Sequence, residues 1–418
     1  MRILKTLKEN GLARDNIIFF SATMGTNLIG FFYHAFMGRV LGPADYGILG
    51  VLLSMLYLLN VFLNVIQTSI ARFVSKFKAR NDFSSVAYLF FRGLFYLTFI
   101  GLASFVIYLV AGIFLVDFLR IPFMPYFYQG ILVPFIFLLA LNRGVLQGLQ
   151  RFLGLGLNSI VEGTFKLAVG ITFVWIGWGV AGAIWGVTAS YIGAFIFSFF
   201  PLKDLLGYTK KKVEKRGIVL YSLPVLFILL ALTALYSFDV FLVKHYFSEN
   251  DAGFYAAATL LGKIVFFASI SIAMVMFPKV SESYEKNDYK NVKRILNLSL
   301  LFISLIGLGI LAFYFLFPEV IIMTLFGAKF LEVKGIMLLF SFVYLMFSLI
   351  YALCMYNLSL HRYSFIIGIL LMNIIEIILI VLYHNTLMTV LSMVAVVFFM
   401  LLAFLFLYTY NHRMETNA

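Results

Sequence analysis

The chain has 418 residues, of which 63% are hydrophobic and only 12% are charged. Ordinary soluble domains are about 45–50% apolar and about 25% charged, so this composition predicts a polytopic membrane protein. The single cysteine, Cys354, excludes an internal disulfide and a cysteine-rich metal site, and the long apolar runs exclude the short alternating strands of a β-barrel.

Apolar runs separated by charged, glycine or proline breaks predict an all-α fold with twelve transmembrane helices. The first run follows a basic segment but is too long for a signal-peptide core, so it is expected to be a retained span. The shortest break, at 178–180, separates the fifth and sixth spans. The twelve spans are predicted near residues 16–37, 44–70, 85–110, 126–148, 153–176, 180–202, 217–238, 251–277, 295–317, 334–356, 363–383 and 387–410.

Lys and Arg residues segregate to one side of this topology. The amino terminus and the loops near 72–80, 203–216 and 279–294 carry most of the 31 basic residues, and all fall on the same side. The positive-inside rule predicts that this side, with both termini, is cytoplasmic. The net charge of +13 therefore indicates orientation rather than nucleic-acid binding. The segment 279–294 is expected to form a short solvated helix that contacts lipid headgroups.

A shift of about 206 residues aligns the chain with itself. The aligned stretches are 38–49 with 244–255, 69–83 with 275–289 and, after an insertion, 150–152 with 361–363. These matches predict two pseudo-symmetric six-helix lobes, residues 1–205 and 206–418, related as parallel repeats. Duplicated bundles usually hold the substrate between their halves and alternate its access, whereas the other interpretation is a duplicated scaffold without transport.

The segment 38–47, GRVLGPADYG, carries a family resemblance. It resembles the GR-x-LGP-x-x-YG signature of polysaccharide-transporter flippases in the multidrug/oligosaccharidyl-lipid/polysaccharide exporter superfamily. The stretches 251–255 and 149–152 are also similar to that family's pattern. Together with the twelve predicted spans and the repeat, the resemblance covers essentially the whole chain.

The resemblance implies a flippase, not an enzyme, in the cytoplasmic membrane. Such a protein moves a polyprenyl-linked oligosaccharide between leaflets while the lipid tail stays in the bilayer. In the related lipid II flippases the first, second, seventh and eighth helices line the cavity, and basic residues engage the pyrophosphate. The expected partners are the lipid-linked oligosaccharide, membrane lipids and other polysaccharide-assembly proteins, and neither a cofactor nor a metal is expected.

Lys263 is the strongest candidate for a substrate-binding residue. It lies twelve residues into the eighth predicted span, about 18 Å deep at 1.5 Å per residue. An ammonium at that depth is costly unless it is paired, so it is expected either to bind a diphosphate or to form an ion pair with Glu376 or Glu162.

Polar residues on the first two spans are further candidates. Asn60, Asn64 and Gln67 share one helix face, where they would bind sugar hydroxyls or hydrogen-bond neighbouring helices. Asn27 and His34 share a face of the first span, and a packing histidine is the alternative for His34.

Charged residues in the other spans have two interpretations each. Glu162 and Lys166, at i and i+4, are predicted to neutralise each other, and Glu376 at comparable depth indicates a structural or ion-coupling role. Arg92 and Arg143 are expected to snorkel or to meet an incoming pyrophosphate. Further along the chain, Asp239 is expected at the outer interface, and Pro224 is a candidate bending point for gating.

Two other functions compete with the flippase. A cationic-drug exporter of the same superfamily is disfavoured because no acid lies between Asp15 and Asp45 and because a basic midpoint repels cations. A membrane enzyme of lipid-linked glycan assembly is disfavoured because no paired-aspartate motif and no nucleophile–base arrangement is visible. No phosphate-binding loop appears, so the chain itself is not expected to hydrolyse ATP.

Overall fold

The fold is known from a computed structural model that describes residues 11–208 and 216–411. At positions 11–20, 23, 206 and 216–225 only the backbone is described. Much of the basic segment 203–216 and both chain ends therefore lie outside the described residues. Within the two described ranges the regular secondary structure is helical throughout, with no strand.

Within residues 11–208 the chain forms five α-helices. They are α1 (Gly11–Lys78), α2 (Phe83–Phe118), α3 (Phe123–Gly148), α4 (Phe152–Phe173) and α5 (Gly179–Ser198). A five-residue π-helix (Val174–Trp178) joins α4 to α5, and a short 3-10 helix (Phe200–Gly207) follows α5.

Residues 216–411 form eight α-helices of more varied length. They are α6 (Arg216–Leu235), α7 (Phe238–Tyr246), α8 (Glu249–Glu285), α9 (Tyr289–Leu316), α10 (Pro318–Leu325), α11 (Lys334–Ser359), α12 (Ile366–Leu382) and α13 (Leu387–Asn411). A 3-10 helix (Ala328–Val333) precedes α11.

Nine helical segments of the described residues are long and apolar enough to cross a membrane. Two of them, with 55 and 47 residues, far exceed the about 20 residues that one crossing needs. The chain is therefore a multi-pass membrane protein, and the count of twelve spans stays a prediction. The nine segments are Met24–Lys78, Phe83–Phe118, Phe123–Gly148, Phe152–Ser198, Leu226–Tyr246, Glu249–Glu285, Tyr289–Leu316, Ala328–Ser359 and Leu387–Asn411, and α12 is a shorter apolar helix.

Glycines with positive φ interrupt both of the longest segments. Gly42, at φ 74° and ψ 177°, is a non-helical residue inside α1. Gly177 (φ 99°) and Gly179 (φ 52°) lie at the boundary between α4 and α5. Glycine adopts these angles without the steric penalty of a side chain. Both interruptions lie at or beside breaks that the hydropathy pattern predicts.

The paired stretches 69–83 and 275–289 share one turn geometry. Asn81 and Asn287 have positive φ angles of 53° and 57°. The next residues, Asp82 and Asp288, cap α2 and α9 by accepting hydrogen bonds from backbone N–H groups three residues on, at 3.1 and 3.0 Å. The prediction of one solvated helix over 279–294 is wrong, because this turn ends α8 at Glu285 and begins α9 at Tyr289.

The chain divides into two compact units. Unit 1 contains Met1–Leu41 and Leu52–Leu226, and unit 2 contains Gly42–Val51 and Phe227–Ala418. In unit 1, α3 packs against α2 and α5, and α5 packs against α4. In unit 2, α8 packs against α9 and α11, and α7 contacts α8 and α12.

The ten residues 42–51, which we call the signature segment, form part of the core of unit 2. The ring of Tyr46 is buried and lies 5.5 Å from that of Phe326 and 5.7 Å from that of Phe330, in edge-on contact. Such contacts between aromatic rings stabilise a packed core. Most of the motif 38–47 therefore has a structural role in unit 2.

Candidate functional site

In unit 1 the buried charge of Arg143 is held by two side chains of α4. The guanidinium of Arg143, on α3, lies 2.5 Å from Glu162 Oε2 and donates from Nε to Asn158 Oδ1 at 2.7 Å. Asn158 in turn donates to the carbonyl of Ala194 on α5 at 2.6 Å. A charge in this environment is tolerated only when it is paired and hydrogen-bonded, so the cluster ties together α3, α4 and α5.

Of the three polar residues predicted to share a face of the second span, two are bonded to other helices and one is exposed. Asn60 Oδ1 accepts a hydrogen bond from the Tyr191 hydroxyl at 2.7 Å, and Gln67 donates to Gln147 Oε1 at 2.9 Å. These two residues therefore join helices, which is one of the two roles that the sequence left open. Asn64, between them, is exposed.

Lys166 contacts an aromatic ring of the first helix. Its ammonium lies 5.1 Å from the centre of the Tyr33 ring, and it also interacts electrostatically with Glu162. The direct ion-pair partner of Glu162 is Arg143 rather than Lys166, because α3 carries its guanidinium close to that carboxylate. The His34 ring packs edge-on against Tyr33 at 5.5 Å, and Asn27 is exposed.

Arg92 on α2 is exposed and stacks on its own helix. Its guanidinium carbon lies 5.3 Å from the ring centre of Phe95 and 4.8 Å from that of Tyr96. Cation–π contacts of this kind hold an arginine side chain against an apolar surface while its charge stays accessible.

In unit 2 a carboxylate that the sequence placed at the outer interface is buried. Asp239, in the first turn of α7, is only 2% exposed, and the hydroxyl of Tyr255 on α8 donates to its Oδ2 at 2.9 Å. Asp239 is covered because a new helix begins after Ser237 and this helix, α7, packs against α8 and α12. Its expected place at the outer membrane interface stays a prediction. Hydropathy shows where a span ends and not which elements cover that end.

Lys263 lies in the same cluster. It is 4% exposed, its ammonium lies 5.1 Å from the Tyr236 ring centre, and it interacts electrostatically with Asp239. Glu376 on α12, 1% exposed, interacts electrostatically with Asp239 and with Tyr255. The cluster thus combines one ammonium with two carboxylates.

The carboxylates of this cluster have unused hydrogen-bonding capacity. Among the described residues, no group hydrogen-bonds to either oxygen of Glu376 or to Oδ1 of Asp239. Buried carboxylate oxygens need a proton, a cation or a hydrogen-bond donor to offset the loss of water. The arrangement is therefore suited chemically to taking up a proton or a small cation.

Two further expectations, a gating role for Pro224 and the absence of a metal, stay predictions. Pro224 belongs to the part of α6 of which only the backbone is described, so its gating role stays a prediction. Within residues 11–208 and 216–411, no group of three His, Cys, Asp or Glu residues is arranged to hold a metal ion.

The sequence profile of the polysaccharide biosynthesis protein family matches residues 36–335. The chain belongs to this family. An uncharacterized membrane protein from Methanocaldococcus jannaschii is 22% identical to it over 335 residues, which is 75% of this chain and 77% of the relative.

Solved structures of transporters share the fold. An inward-facing multidrug resistance MATE family transporter of the MOP superfamily superposes with a TM-score of 0.77 at 14% identity, over 94% of this chain and 97% of the other. Lipid II flippase MurJ, in an inward closed conformation, superposes with a TM-score of 0.74 at 16% identity, over 94% of this chain and 87% of the other. A MOP superfamily transporter from Pyrococcus furiosus superposes with a TM-score of 0.65 at 14% identity, over 96% of this chain and 94% of the other. This member of the polysaccharide biosynthesis family thus shares its fold with these solved transporters.

Proposed function

We propose that the protein is a flippase that translocates a polyprenyl-linked oligosaccharide across the cytoplasmic membrane by alternating access. The observation that carries this proposal is the match of a polysaccharide biosynthesis family profile to residues 36–335 of a chain with a transporter fold. On the positive-inside rule, we propose that both termini are cytoplasmic. The lipid-linked oligosaccharide is the proposed partner, together with other proteins of polysaccharide assembly.

The exposed polar side chains of unit 1 suit a glycan headgroup. Asn27 and Asn64 offer amide donors and acceptors for sugar hydroxyls, and Arg92 offers an accessible guanidinium for a diphosphate. We also retain Arg143 and Lys263 as proposed phosphate ligands. Each interacts with a carboxylate, Glu162 or Asp239, so the substrate's phosphate would have to compete with that carboxylate.

We further propose that Glu376 and Asp239 couple translocation to a proton or a small cation. A transporter of this kind needs an energy source, and buried carboxylate oxygens without hydrogen-bond donors provide a binding position for a positive charge. Their exposure to either side of the membrane would change with the transport cycle.

One observation favours a second candidate, an exporter of cationic compounds. Asp239 interacts with both Lys263 and Glu376, so the cluster holds two carboxylates for one ammonium. A site with more carboxylates than ammonium groups attracts cations, and this weakens the expectation that Lys263 repels them.

Reconstitution into liposomes discriminates between the two candidates. Proteoliposomes would contain a polyprenyl-diphosphate-linked oligosaccharide, and transfer would be followed as the fraction of headgroups accessible to a glycosidase added outside. Uptake of a fluorescent aromatic cation would be measured in parallel. The variant is Arg92→Gln, and the matched control is Lys334→Gln, whose exposed lysine pairs with Glu319.

The flippase predicts time-dependent transfer of the glycan lipid that Arg92→Gln slows and Lys334→Gln leaves unchanged. Transport of the aromatic cation without transfer of the glycan lipid would contradict the flippase and favour the exporter.

A further inference from the structure

An open groove runs between α8 and α9 in unit 2. Its volume is about 440 Å³, and its lining includes Ile272, Val275 and Lys279 of α8 and Leu298, Ser299 and Phe302 of α9. Val275, Leu298 and Phe302 are exposed although they are apolar. In a membrane-spanning region such a surface faces hydrocarbon, so the groove has the chemistry of a binding position for an acyl chain.

The positive charge of this groove is concentrated at one end. Lys279 lies six residues before the end of α8 at Glu285, which is about 9 Å along the helix. Val275 and Ile272 lie four and seven residues further from that end on the same helix face. The groove therefore has an ammonium near its end and an apolar surface beyond it, as a phospholipid has a phosphate above its chains.

Further basic residues lie beside this end. Lys290, Lys293 and Arg294 are all exposed in the first two turns of α9, and Arg294 shares a helix face with Leu298 and Phe302. Glu282 already forms an ion pair with Lys286, at 2.5 Å. Among the described residues, none forms an ion pair or hydrogen bond with Lys279 or Arg294. The groove end therefore carries cationic charge that the described part of the protein does not neutralise.

We propose that this groove is a specific binding site for one anionic phospholipid, taken from the leaflet nearest the turn at 286–288. Its phosphate lies against Lys279 and Arg294, and one acyl chain follows Ile272, Val275, Leu298 and Phe302. Charge complementarity selects this occupant, because a zwitterionic lipid brings no net charge to the unneutralised cations. The bound lipid bridges α8 and α9, and the site is independent of the proposed transport activity.

Native mass spectrometry of the purified, delipidated protein tests the proposal. Phosphatidylglycerol and phosphatidylcholine of identical chains are titrated separately and in competition. The variants are Lys279→Gln, which removes the charge, and Val275→Trp, which fills the groove from an exposed position. The matched control is Lys286→Gln, on the same helix end but already paired with Glu282.

We expect the wild-type protein to bind a first phosphatidylglycerol molecule with higher affinity than any further molecules. We also expect it to bind phosphatidylglycerol in preference to phosphatidylcholine. Lys279→Gln should weaken that first binding step about fivefold. Val275→Trp should abolish it for either lipid, and Lys286→Gln should leave it within a factor of about two.

Three outcomes would overturn the proposal. They are equal binding of both lipids by wild type, unchanged phosphatidylglycerol binding in both Lys279→Gln and Val275→Trp, or displacement of phosphatidylglycerol by an equimolar polyprenyl phosphate. The last result would assign the groove to the prenyl-linked lipid. Because no transport is measured, none of these outcomes depends on the proposed flippase activity.

Discussion

Gly47 and Gly253 are in direct backbone contact. A Cβ atom on Gly47 would lie 2.8 Å from the Gly253 nitrogen, and a Cβ on Gly253 would overlap the carbonyl oxygen of Pro43. The internal repeat pairs these same two glycines as equivalent positions. Their contact shows a physical reason for glycine at both: the signature segment and α8 approach each other at backbone distance, which only glycine permits.

Gly253→Ala is therefore expected to destabilise the protein by about 1–3 kcal/mol, because the obstructing atom is backbone and cannot move aside. The measurement is the free energy of unfolding in detergent, or the midpoint of thermal unfolding. The control is Gly309→Ala on α9, where a Cβ would meet nothing within 4 Å. Equal stability of the two variants would show that the close approach is not maintained in solution.

Removing the charge of Arg143 should cost about 2 kcal/mol, because Glu162 and Asn158 then lose a charged hydrogen-bonding partner. In the double variant Arg143→Met with Glu162→Met most of this loss should be recovered, since neither charge is left unpaired. Chemical unfolding of the two singles and the double measures the coupling. Additive losses in the double variant would disprove the pairing. A double variant that is stable but does not transport would show that the Arg143–Glu162 pair also acts in transport.

Stability should also depend on pH through Arg151 and Asp204. Hydrogen bonds from Arg151, one of them 2.6 Å long, hold the pKa of Asp204 below its usual range. Because the unfolded-state pKa is about 3.9, the resulting stabilisation is present above pH 4 and is lost as the pH falls through the folded-state pKa. About half of the Asp204 side chain is exposed, so the contribution is below about 1 kcal/mol.

The variant Asp204→Asn tests this pH dependence. Its unfolding midpoint should lie below that of wild type at pH 7, and the two midpoints should converge in acid. A difference that is the same at pH 7 and at pH 3 would instead indicate a packing effect.

Glu376→Gln should separate stability from transport. The amide has the shape of the carboxylate but no charge, and no described residue hydrogen-bonds to the carboxylate, so stability should not fall. If Glu376 couples transport to a cation, gradient-driven transfer should fall about tenfold or more. Glu285→Gln, at the exposed end of α8, is the control. Wild-type transport with unchanged dependence on the gradient would exclude this coupling role.

The sequence predicted the helix interruptions near Gly42, Asn81 and Gly179 because their causes are local. Gly42, Asn81 and Gly179 have positive φ angles, which glycine and asparagine adopt more readily than other residues. This conformational preference depends on the residue itself and not on distant contacts. The equivalent turn at Asn287 has the same local chemistry, although one solvated helix was predicted across it. The multi-pass membrane architecture was likewise predictable, since it depends on composition summed over about 20 residues.

The partners of the buried charges were not predictable in the same way. The sequence offered Lys166 as the neighbour of Glu162, but the direct pair is with Arg143, nineteen residues away on another helix. Lys263 and Asp239 meet because α7 packs against α8. Such pairs depend on the rotation of one helix against another, which hydropathy leaves undetermined.

The signature segment imposes an order on biogenesis. It is synthesised more than two hundred residues before Gly253 and before the aromatic partners of Tyr46 at Phe326 and Phe330. At about 5–20 residues per second the segment waits at least about 10 s for them, with the apolar surface around Tyr46 uncovered by its partners. The core of unit 2 can therefore be completed only after the last aromatic partner of Tyr46 has been translated. At that point the signature segment, which was translated much earlier, packs into it.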